Sequence, residues 1–314
     1  MVDLKKMLEA GVHFGHKTSR WSPKMRPFIW GAKNKVHLID VSKAAILLER
    51  AGNFLKEVTS KGGKVLLVGT KKAAQPIIQK CADTTGMPFV IHRWVGGTLS
   101  NYEQVRKAVT RLLHMRDVVE KGMTHYKKKE ISMIQKEIIR LEKNVGGIIN
   151  FDYPPAALVV VDAKKEASAV KEASCLGIPV IALVDTNTDP EGVSIIIPSN
   201  DDSPKSISFL IEYLEGRIKE GVDQFVNEKA KRIADEANAR KAAAEAKIAA
   251  SKKVATDAAN AAHAVAKEAP KAVVAEAPKK ATAPTETKAA PAEAKEVKKA
   301  PVAAKPAAAK KKDA

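Results

Sequence analysis

Two imidazoles sit three positions apart in the run His13-Phe14-Gly15-His16, and Asp185 and Asp189 bracket a short loop much later in the chain. These residue types ligate metals or shuttle protons. A metal would need two further ligands at suitable spacing, and no CxxC or HExxH pattern supplies them. No His or Lys lies beside Asp185 or Asp189 in sequence to complete an acid–base pair, so the two carboxylates read as caps and Asx-turns. The loop Gly69-Thr70-Lys71-Lys72-Ala73 follows an apolar run but lacks the GxxxxGK[ST] spacing that wraps a phosphate. No GxGxxG follows any strand-like run, and the pairs Gly96-Gly97 and Gly146-Gly147 read as turns. Cys81 and Cys175 fall in unrelated helical, apolar contexts, as buried free thiols do in a reducing cytoplasm. The expectation is a chain with no catalytic residue, no metal and no cofactor.

The chemistry that stands out is electrostatic. The 314 residues carry a net charge of +18 with a pI near 9.7, the balance of a protein that meets a polyanion. Lys17, Arg20, Trp21, Lys24, Arg26, Trp30, Lys33 and Lys35 crowd one stretch, and no acidic residue occurs from Val12 to Ile39. Cations meet phosphates and flat rings stack on splayed bases, so this mixture suits a folded RNA. His13 and His16 belong either to such a surface or to backbone bonds. His92-Arg93-Trp94 and Lys71-Lys72 each follow an apolar run. The expected RNA-binding set is therefore Lys17, Arg20, Trp21, Lys24, Arg26, Lys33, Lys35, Lys71, Lys72, Arg93 and Trp94, gathered on one edge.

What gathers them is an α/β pattern. Short apolar runs at 65–68, 89–91, 158–161, 180–184 and 193–197 alternate with helical stretches near 42–60, 72–85 and 164–175, the signature of a doubly wound, mostly parallel sheet. Ser42 is the expected cap of the first of these helices, and Ser203-Pro204 opens another. Residues 12–35 read as irregular, ending in a short strand at 36–40. Residues 101–147 carry no strand signal. Tyr102, Val105, Val109, Leu112 and Val119, then Ile131, Ile134, Ile138, Leu141 and Val145 at spacings of three and four, make a heptad seam for an antiparallel helical hairpin inserted in the sheet domain. Ser100 and Glu103 have capping-box spacing, and Arg116 interrupts the first seam where Met115 can fill in. The sheet domain then occupies 1–100 and 148–226, followed by an Ala-rich helical extension at 227–268 and a disordered Ala/Lys/Pro tail at 269–314. From Asn227 onward there are 20 Lys+Arg against 11 Asp+Glu, so under a third of the length holds half the net charge and reads as a flexible basic arm. No run is long and apolar enough for a membrane span.

Gly11-Val12-His13-Phe14-Gly15-His16, Pro23-Lys24-Met25-Arg26-Pro27-Phe28-Ile29, Asn34-Lys35-Val36-His37 and Val68-Gly69-Thr70-Lys71-Lys72-Ala73 fall in one order. His92-Arg93-Trp94-Val95-Gly96-Gly97, Gly177-Ile178-Pro179-Val180, Val184–Pro190 and Ile197–Asp202 continue it. Over residues 1–225 this closely resembles the bacterial small-subunit ribosomal protein two family. The resemblance implies a flavodoxin-like sheet with a coiled-coil hairpin, seated on 16S ribosomal RNA at the back of the 30S particle. It implies no catalytic reaction, a cytoplasmic place in translation, and contact with neighbouring small-subunit proteins, including the large one that captures mRNA. The stretch Asn150–Pro155 and the long tail depart from the family pattern. From the residues alone two other readings stay open. A phosphate-ligand enzyme on the same fold would need a glycine cradle or an acid–base pair. A nucleic-acid compaction protein acting through its tail would leave the sheet dispensable for binding.

Overall fold

A computed structural model describes residues 2–121 and 127–265. The loop joining the expected hairpin helices and the proposed disordered tail at 269–314 lie outside the described residues. Residues 1–246 form one compact unit, and the helical residues 247–265 belong to a second.

The chain opens with α1 (Leu4–Glu9), capped by Asp3, whose carboxylate accepts from Lys5 N. Three short strands follow, β1 (Phe14–Lys17), β2 (Ile29–Lys33) and β3 (Val36–Ile39), forming an antiparallel sheet in the order β1-β3-β2. This corrects the expectation of an irregular 12–35 segment. Asn34 and Lys35, at φ 53° and 63°, make the two-residue turn joining β2 to β3, a conformation whose twist matches a hairpin. Helix α2 (Val41–Ser60) is capped by Asp40, which accepts from the backbone of Ser42 and Lys43; Ser42 is the first-turn residue and not the cap.

The main sheet has five parallel strands: β4 (Val65–Val68), β5 (Phe89–Val90), β6 (Ala157–Val161), β7 (Val180–Val184) and β8 (Ile195–Pro198). Their order is β5-β4-β6-β7-β8, the 2-1-3-4-5 arrangement of flavodoxin-like folds. The runs β4, β6 and β7 are buried at every residue because helices cover both faces. Alternation along them divides the core. Val65, Leu67, Val159, Ile181 and Leu183 face α2, α3 (Gln75–Thr85) and the first turns of α7 (Pro204–Val265). Leu66, Val68, Leu158, Val160 and Ala182 face α6 (Ala167–Cys175), Met25, Trp94 and the hairpin.

The hairpin pairs α4 (Tyr102–Glu120) with α5 (Lys128–Val145). Val105, Val109, Leu112, Leu141 and Val145 are buried at its base, while Ile131, Ile134 and Ile138 farther out stay half-buried, as a two-helix seam must. Arg116 does not break the seam: its guanidinium crosses to Glu142 at 2.6 Å. The Ser100 capping box is absent. Ser100 instead donates to Glu172 on α6, and Asn101 precedes the helix without a side-chain cap. Gly147 is less a turn residue than a point of close approach, since a Cβ there would run into the Phe89 carbonyl. Cys81 is buried as expected, whereas Cys175 is exposed, because α6 ends there beyond its last buried residue, Ala173.

Candidate nucleic-acid interface

Because all five strands run parallel, every β-to-α loop leaves the same edge of the sheet. Thr70, Lys71 and Lys72 follow β4, and Arg93 and Trp94 follow β5. Asp162, Lys164, Lys165 and Glu166 follow β6, Asp185–Asp189 follow β7, and Asn200–Asp202 follow β8. Lys164 and Lys165 were missed in the sequence, although their position after a strand matches that of Lys71 and Lys72. In open α/β sheets a ligand normally enters this edge at the switch point, here between β4 and β6.

That crevice is filled by the chain itself. The Thr70 hydroxyl donates to Glu166, and Lys165 Nζ donates to the Thr70 carbonyl at 3.1 Å, tying the two loops across the switch point. Lys71 Nζ lies 2.9 Å from Asp201, 2.5 Å from Asp202 and 3.7 Å from Asp162. Its side chain is 20% exposed and that of Asp201 only 2%, so Lys71 is an internal counter-ion more than a surface cation.

The basic N-terminal segment seals the rest. Asn200 N donates to Val12 O at 3.1 Å, His16 N to Thr186 Oγ1 at 2.9 Å, and Ser22 N to Thr186 O at 2.7 Å. Gly15 permits the approach: a Cβ there would sit 2.7 Å from Thr186 Cγ2. His16 is clamped between two carboxylates, Nδ1 to Asp185 at 2.7 Å and Nε2 to Asp202 at 3.3 Å. The expectation that His13 and His16 are backbone-bonded or RNA-facing is thus corrected for His16. Its partners come from 169 and 186 residues away, where the sequence hides them. His16, Asp185 and Asp201 bring donor atoms within 4.8 Å of one another, a grouping that sequence spacing does not reveal because the three residues come from distant stretches. Asp189 likewise has a cation partner, Lys24 at 2.9 Å, and Glu191 shares it at 2.7 Å.

With both ring nitrogens facing carboxylates, His16 has no free nitrogen to act as a base. The Asp185 hydrogen bond holds its pKa above the ordinary value, against the effect of burial. Burial, reinforced by Asp162 and Asp185, pushes Asp201 up to about 6, and burial also raises Glu166. These three groups bind protons more tightly folded than unfolded. The His16 clamp is complete below pH ~6.5 and is lost as pH rises through its folded pKa; the Asp201 penalty is small near pH 4 and complete above 6. Asp202, held low chiefly by Lys71, is ionised throughout that window. Burial lowers the His13 pKa and works the other way, but urea unfolding with EDTA present is expected to give higher stability at pH 5 than at pH 7.5, with Asp201 alone contributing about 1 kcal/mol of the difference. A flat or rising profile would contradict this arrangement.

The remaining candidates divide by exposure. Lys17, Arg20, Arg26, Lys33, Lys35, Lys72 and Arg93 are exposed, and Arg26 flanks Met25, which is buried in the same cluster as Trp94. Trp21 is 38% exposed and Trp30 76%. Trp94 is 8% exposed, and its indole donates to Glu172 at 3.1 Å. That carboxylate also accepts from the backbone of Gly97, Leu99 and Ser100, fixing the loop that launches the hairpin. Burial disfavours its charge, yet these four donors hold its pKa below the usual carboxylate range. Trp94 is thus a packing anchor in this fold.

The description "Ribosomal protein S2" belongs to the family whose pattern matches residues 7–221. Relatives named small ribosomal subunit protein uS2 include one from Maridesulfovibrio salexigens, 42% identical over 77% of this chain and 93% of its own. Another, from Francisella tularensis subsp. novicida, is 45% identical over 72% of this chain and 96% of its own. A third, from Solidesulfovibrio magneticus, is 42% identical over 71% and 87%. With a flavodoxin-like sheet whose crevice is closed by its own basic segment, and with this likeness along most of its folded length, the chain belongs to the ribosomal protein S2 family and is a ribosomal protein, not an enzyme.

Proposed function

We propose that the chain is a structural component of the small ribosomal subunit that grips 16S ribosomal RNA with the sealed edge of its sheet. The observation that carries the reading is the plugged crevice. A segment without acidic residues from 12 to 39 is bonded over the strand ends, so the place where other doubly wound proteins hold a small ligand carries outward-facing Lys and Arg instead. Arg20, Arg26, Lys72 and Arg93 neutralise phosphates, and Lys17, Lys33 and Lys35 extend the surface along the small antiparallel sheet. Lys24 and Lys71, already bonded to carboxylates, set the shape of that surface and contribute less charge to it. The chain works by electrostatics and geometry, supporting 30S assembly. Its protein partners are neighbouring small-subunit proteins, the large mRNA-capturing one among them, with the hairpin as a docking arm. Its place is the cytoplasmic 30S particle; among the described residues no helix is long and apolar enough to cross a membrane. Sucrose-gradient sedimentation of the tagged chain tests this: co-migration with 30S particles is expected, and a position at the top of the gradient would overturn the reading.

A further inference from the structure

Beside the sealed crevice, one groove stays open. It has a volume of about 650 Å³ and lies between Trp21, the outer face of α6 and the loop after β7. Its floor is apolar, built from Ala163 and Val170, both nearly buried. Gly192 keeps it open: at φ 81° it turns the loop away, and a Cβ there would press to 3.3 Å from Val170. Trp21 lines one side, and its ring packs against that of His37, with centroids 5.4 Å apart and planes tilted by 49°. Two exposed cations, Lys164 and Lys171, line it, Lys164 held by the Asn187 carbonyl at 3.4 Å; the Asn187 Oδ1 accepts from the Thr188 hydroxyl at 2.9 Å, which leaves its amide NH2 as a donor beside them. Two acids also line the groove, Asp189 and Glu191, and both are bonded to Lys24, which reduces their repulsion of an incoming phosphate.

An apolar slot lined by a flat aromatic ring, an amide donor and lysines matches one unstacked nucleotide: base on the ring, base edge on the amide, flanking phosphates on the lysines. We propose that this groove receives a single splayed base of the ribosomal RNA, stacked on Trp21. The inference rests on the RNA-binding reading of the same edge and specifies which part of it reads a base and which part only meets phosphates.

The test uses the full-length chain and small subunits stripped of it, with affinity measured across salt concentration. Trp21→Ala is expected to weaken binding about tenfold, the size of one lost base–aromatic stack, without changing the salt slope. Trp21→Phe restores most of the loss. Ala167→Trp, which fills the groove from an exposed helix position, weakens binding as much as Trp21→Ala even if the latter perturbs local packing. Lys164→Gln with Lys171→Gln lowers the salt slope by about two units. Cys175, on the groove wall, loses maleimide reactivity in the assembled subunit. If Cys175 stays reactive, or if Trp21→Ala and Ala167→Trp bind like the parent, no base sits in the groove. A carbodiimide crosslink from Lys164 or Lys171 to a neighbouring protein's carboxylate would assign the groove to a protein segment and overturn the proposal. Failure of the wider RNA reading looks different, because substituting Arg20, Arg26, Lys72 and Arg93 would then leave the slope unchanged.

Discussion

Replacing Lys71 by Met is expected to cost about 3–5 kcal/mol of folding stability, the typical penalty for removing one partner of a buried ion pair. Among the described residues, Lys71 is the lysine that reaches Asp162, Asp201 and Asp202 together. Without its ammonium, Asp201 would be left charged at 2% side-chain exposure beside other carboxylates, and its pKa is already raised, by burial first and by its acidic neighbours second. Native domains are stable by only about 5–15 kcal/mol, so the loss should move the urea midpoint far enough to be unmistakable. Asp201→Asn in the same chain should recover most of it, because the buried charge then disappears with its partner. A Lys71→Met protein as stable as its parent but with a reduced salt slope for RNA would reverse the assignment and make Lys71 a phosphate contact.

That reassignment shows where the sequence was legible. The runs Val65–Val68, Ala157–Val161 and Val180–Val184 announce parallel strands because burial on both faces demands uninterrupted apolar residues. The hairpin is legible because its seam is a local repeat. The three-stranded sheet is not: its strands have four or five residues, include Gly15 and Gly31, and bear lysines, leaving Asn34 before Lys35 as the one local turn signal. Side-chain identity misleads where partners are distant. Lys71 looks like a surface cation until Asp201, 130 residues on, closes over it, and Asp185 looks like a turn residue until His16, 169 residues earlier, arrives. Trp94 resembles a stacking ring beside Arg93, but its indole belongs to Glu172. Strand order converts scattered loops into one edge, and no local pattern encodes that order.

The second large effect concerns the cations that stay exposed. Arg20, Arg26, Lys72 and Arg93 lie on the sealing segment or in loops at the strand C-termini, and all four face solvent. Changing exposed residues with no buried partner should alter stability by no more than about 0.5 kcal/mol. Their loss from an RNA interface is another matter, since each phosphate contact releases condensed counterions. Replacing all four by Gln should weaken binding roughly 10²–10³-fold at physiological salt and flatten the plot of log K against log salt by about three to four units. The deciding measurement is that salt titration on small subunits stripped of this chain, comparing the parent with the fourfold Gln variant. The account predicts a slope shallower by about three to four units in a protein that unfolds like its parent. Equal slopes for the two proteins would mean that the sealed edge does not hold RNA.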